Sequence, residues 1–259
     1  MIEWSAKLLG MPELASENGK QVDALIVYVH WLMLVLFIGW VIYFCYTVWR
    51  FQARRNPKAD YEGVKNHMSN YVELGVVAAE ALLLIGVAIP VWAKAVDHFP
   101  DANKSTVIYV QAQQYAWNIR YAGVDGQFGK QDMKFVAPDN IFGVDPSDPN
   151  GKDDVVTLNE MHVPVNKPVI VYVSSKDVIH SFKVVAMRVC QDAIPGLRIP
   201  CWFIPTKTGR YQINCAQLCG SGHSGMTGGF LVVESQADFE RWIRSKSPAP
   251  AAGTKNPYE

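Results

Sequence analysis

The sequence predicts a two-helix transmembrane hairpin followed by an all-β domain, an antiparallel sandwich or barrel. Three observations carry that prediction. Two long apolar runs stand near the N-terminus, short β-branched or aromatic runs separated by Gly, Pro, Asp and Asn follow them, and a glycine-rich loop dense in sulfur and imidazole comes near the end.

Residues 1–23 are mixed in charge and are read as an extracytoplasmic N-terminal segment. Residues 24–49, ALIVYVHWLMLVLFIGWVIYFCYTVW, contain one histidine and no formal charge. At 1.5 Å per residue this run can cross a hydrocarbon core of about 30 Å, and it is too long for a signal-peptide core. A second span covers about residues 72–95, which makes 24–95 a helical hairpin. Arg50, Arg54, Arg55, Lys58 and Lys65 crowd the connection and place it in the cytoplasm. Both termini then lie on the outer side. Glu73 and Glu80 fall within or beside the second span, where a carboxylate is costly and normally faces protein or water.

The expected β domain occupies 96–246. Its runs are TVIYVQA, YAWNIRY, MKFVA, DVVTLNE, PVIVYVSS, FKVVAM, RYQINC and GGFLVVE. Ser235 with Asp238 three residues on reads as a helix N-cap, opening a short helix through about Arg244. Residues 247–259 are Pro/Ala-rich and read as a flexible tail.

The chemistry concentrates in Cys215-x3-Cys219-x3-His223-x2-Met226, with glycines at 220, 222 and 225 allowing tight turns. Thiolates, imidazole and thioether form a soft donor set that suits copper. Zinc rarely takes a thioether. A Cys215–Cys219 disulfide leaves the methionine spacing unexplained. A mononuclear copper loop needs only one cysteine, so two sulfurs able to bridge argue for a pair of metal ions. The second imidazole must then come from elsewhere, and His180 in SSKDVIHSF is the candidate. No Cys-x2-Cys-His motif provides for covalent haem. With 24 basic and 24 acidic side chains the net charge is zero, and no nucleic-acid partner is expected.

This loop, preceded by DVIHSF and by DAIPG at 192–196, resembles subunit II of the haem-copper cytochrome c oxidases, and the similarity extends over about residues 24–243. The resemblance implies a cupredoxin-like Greek-key domain carrying a dinuclear CuA centre. His180 and Met226 would hold one copper, His223 and the main-chain carbonyl of Gln217 the other, and Cys215 and Cys219 would bridge both. It implies an electron-input subunit in a bacterial cytoplasmic membrane, with the copper domain in the periplasm. Electrons would come from cytochrome c and pass to haem in subunit I, in support of oxygen reduction and proton pumping. Subunit III and membrane lipid are further expected partners, and this chain alone would hold no oxygen-reducing site.

Other positions follow from the same resemblance. Gln114-Tyr115-Ala116-Trp117 stands where the family has consecutive aromatics that receive electrons, so Tyr115 and Trp117 are candidates for that role. Glu73, 17 residues before Pro90, matches a glutamate at the mouth of a proton path. Gln217 replaces a glutamate that helps bind magnesium at the subunit I boundary, and a neutral amide is a poorer ligand for that hard cation. Asp177 and Asp192 also match family carboxylates. Quinol-oxidase subunits have lost these copper ligands, nitrous oxide reductase lacks the hairpin, and copper chaperones lack His-x2-Met.

The remaining features are read from the residues alone. Asp132, Asp139, Asp145, Asp148, Asp153, Asp154 and Glu160 form either an acidic surface that steers a basic partner or a solvated loop. Cys190 and Cys201 bracket DAIPG in an oxidising compartment and are expected to pair as a disulfide. His30, His67, His98 and His162 are read as surface or packing residues.

Overall fold

The computed structural model describes residues 2–58, 61–63 and 65–247; the expected flexible tail falls outside these residues from 248 onward. The chain forms two compact units. One comprises residues 21–94 with the N-terminal residues through Met11, the other Pro12–Lys20 with everything from Ala95.

The first unit is helical. A short helix that the sequence patterns do not announce, α1 (Ile2–Leu8), is tied to the next by a hydrogen bond from Trp31 Nε1 to Ser5 Oγ of 3.1 Å. The long helices are α2 (Gly19–Arg50) and α3 (Met68–Asp97). Within α3 the segment Leu84–Ala88 widens into a π turn, in which Ile89 N–H reaches back five residues to the Leu84 carbonyl. Pro90 comes next, and its missing N–H and bulky ring disfavour regular pairing of the turn before it. Side chains such as Phe37, Trp40, Phe44, Leu74 and Ile85 are exposed along both helices. Water tolerates no apolar surface of that extent, and lipid solvates it.

The second unit is a sandwich of two five-stranded sheets. Strands β1 (Thr106–Gln113), β2 (Ala116–Tyr121), β3 (Val155–Leu158), β5 (Val169–Ser175) and β8 (Ile199–Phe203) form one, in the order β3-β2-β1-β5-β8. Strands β4 (Glu160–Pro164), β6 (His180–Val184), β7 (Val189–Ala193), β9 (Gly209–Cys215) and β10 (Gly229–Glu234) form the other, in the order β4-β10-β9-β6-β7. Ile108, Val110, Trp117, Ile119, Val171, Val173, Met161, Phe182, Ile213 and Leu231 meet between the sheets with essentially no exposure. Each such side chain contributes about 1.5–3 kcal/mol by leaving water.

The expectation of antiparallel pairing needs correction at two places. β1 pairs with β5, and β4 with β10, in parallel. The chain switches between the sheets after β3, β4, β5, β7 and β8, so these neighbours are not joined by hairpins and their directions are not forced to oppose. MKFVA also fails as a strand: Met133–Phe135 is a single 3-10 turn, capped by the Asp132 side chain accepting from Lys134 N–H. Conversely β4, β7 and β8 are missing from the predicted runs, since EMHVP, VCQDA and IPCWF carry polar, sulfur and proline residues that blur the alternation.

Two further pieces complete the unit. Pro12–Lys20 straps across it: Ala15 N–H donates to Ala186 O, Thr206 N–H to Ala15 O, and Ser16 Oγ to Met187 O, each at 2.8 Å. Gly19 is closely packed there, since a Cβ would lie 2.5 Å from Leu14 Cδ1 and 2.7 Å from Arg188 Cγ and these side chains would have to shift. Beyond β10, α4 (Gln236–Lys246) starts on the Ser235 cap as expected, with Asp238 N–H donating to Ser235 Oγ at 3.1 Å. It buries Phe239 and Ile243 and stacks Trp242 on His162 with ring centres 4.1 Å apart, so His162 is a packing residue.

The loop between β2 and β3 folds over the outer face of β2, and its acids serve it internally. Asp148 accepts from Lys130 N–H, and Asp153 from the N–H groups of Val124 and Asp125. Asp154 pairs with Arg120, whose side chain has no solvent exposure. For these residues the structure favours an architectural role over surface steering. Asp154→Ala would strand the Arg120 charge in the interior at a cost of about 3–5 kcal/mol. We expect a correspondingly lower thermal midpoint for Asp154→Ala, largely restored by adding Arg120→Met; an unchanged midpoint in the single variant would contradict this.

Candidate metal centre

The register of two strands creates the site. β6 and β9 pair with Phe182 opposite Cys215, which sets His180 at the head of β6 beside the last residue of β9. The chain then leaves the sheet as a loop that stays close, since Ala216 N–H donates to Ser181 O at 3.0 Å. The 3-10 segment His223–Gly228 brings His223 and Met226 back toward the cysteines.

Six donor atoms converge. Cys215 Sγ and Cys219 Sγ are 3.9 Å apart. His180 Nδ1 lies 3.9 Å from Cys215 Sγ and 3.1 Å from Met226 Sδ. His223 Nδ1 lies 3.4 Å from Cys219 Sγ, Met226 Sδ 3.5 Å from the same sulfur, and the Gln217 carbonyl 3.1 Å from Cys215 Sγ. His180, Cys215 and Cys219 are all buried and close enough to hold one metal ion between them. The other three donors expected from the sequence stand around this core.

The surroundings select the protonation states. His180 Nε2 is 2.9 Å from Asp177 Oδ1, so its proton is directed to the carboxylate and the Nδ1 lone pair is left for the site. Burial pushes the Asp177 carboxyl up, but hydrogen bonds from Gln114 N–H, His180 and Val178 N–H outweigh it, and the net position is below the usual carboxylate range. Burial, and then the neighbouring Cys215, push the Cys219 thiol up to about 11. Without metal this sulfur is a neutral thiol near pH 7.

The two aromatic candidates brace the loop. Trp117 is fully buried, donates from Nε1 to Met226 O at 3.0 Å, and sets its ring edge-on to His180. Tyr115 is half-buried and lies over the loop backbone: a Cβ on Gly222 would come within 2.3 Å of its ring, and one on Gly220 within 2.5 Å of its hydroxyl. Those two glycines are steric requirements. Gly225 is not, since a Cβ there would meet nothing within 4 Å.

Two expectations from the sequence stand apart from this cluster. Glu73 lies on α3 in the other unit, exposed on its helix. The Cys190–Cys201 disulfide is corrected, since both residues are free thiols. Cys190 sits opposite Lys183 in one sheet with Sγ 3.5 Å from Ser181 Oγ, whereas Cys201 sits opposite Val171 in the other. Burial, then Cys190, push the Cys201 thiol up to about 12. Conversely Gln114, to which the sequence assigns no role of its own, touches the site: its Nε2 donates to Cys219 O and its N–H to Asp177 Oδ2, both at 2.7 Å. No local pattern reveals such a contact between residues 105 positions apart.

Because a soft cation must displace thiol protons here, metal uptake should release protons and weaken as pH falls. We expect copper affinity to drop by about tenfold per pH unit for each proton displaced, between about pH 8 and pH 6, as read by calorimetry in buffers of different ionisation enthalpy. A pH-independent affinity without proton release would show that the thiols are not the ligands.

Comparison with known proteins agrees with the geometry. Residues 106–235 match the family model described as cytochrome c oxidase subunit II, periplasmic domain. The alternative cytochrome c oxidase subunit 2 of Bradyrhizobium diazoefficiens is 31% identical over 241 residues, covering 92% of this chain and 85% of that one. Cytochrome c oxidase subunit 2 of Cereibacter sphaeroides is 27% identical over 264 residues, covering 92% and 83%. The crystal structure of the periplasmic domain of subunit II of cytochrome oxidase from Bradyrhizobium japonicum matches at 30% identity, with 57% of this chain and 95% of that one covered and a TM-score of 0.40. With its two apolar helices, cupredoxin-like sandwich and His/Cys/Cys cluster, this chain belongs to the cytochrome c oxidase subunit II family, as a membrane-anchored subunit of a haem-copper terminal oxidase.

Proposed function

We propose that this chain is the electron-input subunit of its oxidase, taking electrons singly from cytochrome c and delivering them toward haem in subunit I. The observation that carries this reading is the two-sided donor set. Two sulfurs 3.9 Å apart have one imidazole on each flank, His180 toward Cys215 and His223 toward Cys219, with Met226 and the Gln217 carbonyl completing the ring. These residues would hold two soft cations better than one. A copper pair, when bound, would supply a one-electron acceptor.

The chain's own residues keep that acceptor ready. Asp177 fixes the His180 tautomer, and Trp117 anchors the backbone at Met226. Tyr115, half-buried over Gly220 and Gly222, is the outer of the two aromatics and the better placed to meet a donor. Gln217 offers only a neutral, exposed amide, so any magnesium at the subunit I boundary is held weakly. The basic connection between α2 and α3 sets the hairpin with both termini in the periplasm. In this reading residues 24–95 form the anchor, 96–246 the copper domain, and subunit III and lipid complete its surroundings. Glu73, near the cytoplasmic end of α3, opens a proton path into the complex.

Measured on the assembled oxidase, Tyr115→Phe and Trp117→Phe combined should slow cytochrome c oxidation about tenfold. An unaltered rate removes both aromatics from the electron path. Glu73→Gln should depress steady-state turnover while leaving the initial reduction of the metal centre unchanged; full turnover in that variant discards the proton role.

A further inference from the structure

Gln114 occupies the turn between β1 and β2, on the protein surface and outside both sheets. It makes two contacts that lead to opposite halves of the metal centre. Its main-chain N–H donates to Asp177 Oδ2 at 2.7 Å, and the other oxygen of that carboxylate holds His180 Nε2 at 2.9 Å. Its side-chain amide donates to the Cys219 carbonyl, also at 2.7 Å.

The second contact bears on a weak point of the loop. Cys219 is followed by Gly220 at φ +129°, a conformation that ordinary side chains rarely adopt and that glycine leaves easily. A peptide plane flanked by such a residue can rotate at little cost, and rotation would turn the Cys219 carbonyl away from Gln114 and loosen the loop backbone that seats Cys219. A hydrogen bond to the Cys219 carbonyl opposes that rotation. Tyr115, packed over Gly220 and Gly222, holds the neighbouring backbone and so limits where Gln114 can go.

We propose that Gln114 is a positioning residue of the metal centre, its amide fixing the Cys219 peptide while its main-chain N–H orients Asp177 and, through it, His180. The inference rests on the reading of the loop as a copper centre but concerns its preorganisation before metal arrives. Among the described residues Gln114 makes its hydrogen bonds to Asp177 and to the Cys219 carbonyl, not to a sulfur or an imidazole. Its effect is to set the cysteine and histidine halves of the site in register through a single turn.

The test uses two substitutions in the full chain, Gln114→Glu and Gln114→Ala. Both keep the main-chain bond to Asp177. Glutamate keeps the shape of glutamine but, ionised at neutral pH, cannot donate to a carbonyl oxygen. Space-filling would therefore survive Gln114→Glu, and positioning would not. In the metal-free chain both variants should raise the rate at which iodoacetamide alkylates Cys219 by about two- to tenfold, the range set by losing one hydrogen bond, with little change in thermal midpoint. In the copper-loaded chain both should alter the visible and electron paramagnetic resonance spectra in the same direction. A Gln114→Glu chain that matches the unsubstituted one in alkylation rate overturns the proposal. The alkylation comparison is made without metal, so it decides the role of Gln114 even if the loaded chain were to hold a single ion, the result that would count against the proposed function.

Discussion

Two thiols buried 3.9 Å apart, beside an imidazole whose outer nitrogen is committed to a carboxylate, make a site in which either protons or a soft cation must balance the sulfurs. Burial penalises the charged form, and a second thiolate this close would repel it, which is why the free Cys219 thiol is held up at about 11. The rest of the site serves this balance. The β6–β9 register delivers His180, Asp177 fixes its tautomer, Trp117 secures the turn at Met226, and Tyr115 covers the loop where only glycine leaves room.

The sandwich supplies the rigidity that a loop of this kind lacks. Four of the six donors, the Gln217 carbonyl with Cys219, His223 and Met226, lie on a glycine-rich excursion, and two of these residues are referred back to the β1–β2 region by a contact outside the loop. Met226 is held through its carbonyl to Trp117 of β2, and Cys219 through its carbonyl to Gln114. The distances at the centre are thus set by residues far away in sequence, and substitutions in the β1–β2 turn should be felt there.

The donor set was legible in the sequence because its spacing is local. Cys215, Cys219, His223 and Met226 fall within one loop, and His180 follows an apolar strand in a recognisable setting. The membrane helices were legible for a similar reason, as long uninterrupted apolar runs. What escaped was long-range. Gln114, the strap at Pro12–Lys20 and the parallel pairs β1–β5 and β4–β10 depend on contacts that no short window contains. The Cys190–Cys201 pairing was inferred from proximity in sequence and compartment, whereas the structure has both residues as free thiols. The acids of the β2–β3 loop looked like a surface property, and several are internal caps and partners.

Two cations sharing one electron across two sulfurs are what the proposed function requires of this loop. The most direct test is the copper content of the purified full chain, taken together with the electron paramagnetic resonance spectrum of its oxidised form. Two copper ions per chain are predicted, with a hyperfine pattern in which the unpaired electron couples equally to both nuclei. One copper per chain, or a spectrum showing the spin confined to a single nucleus, would contradict it.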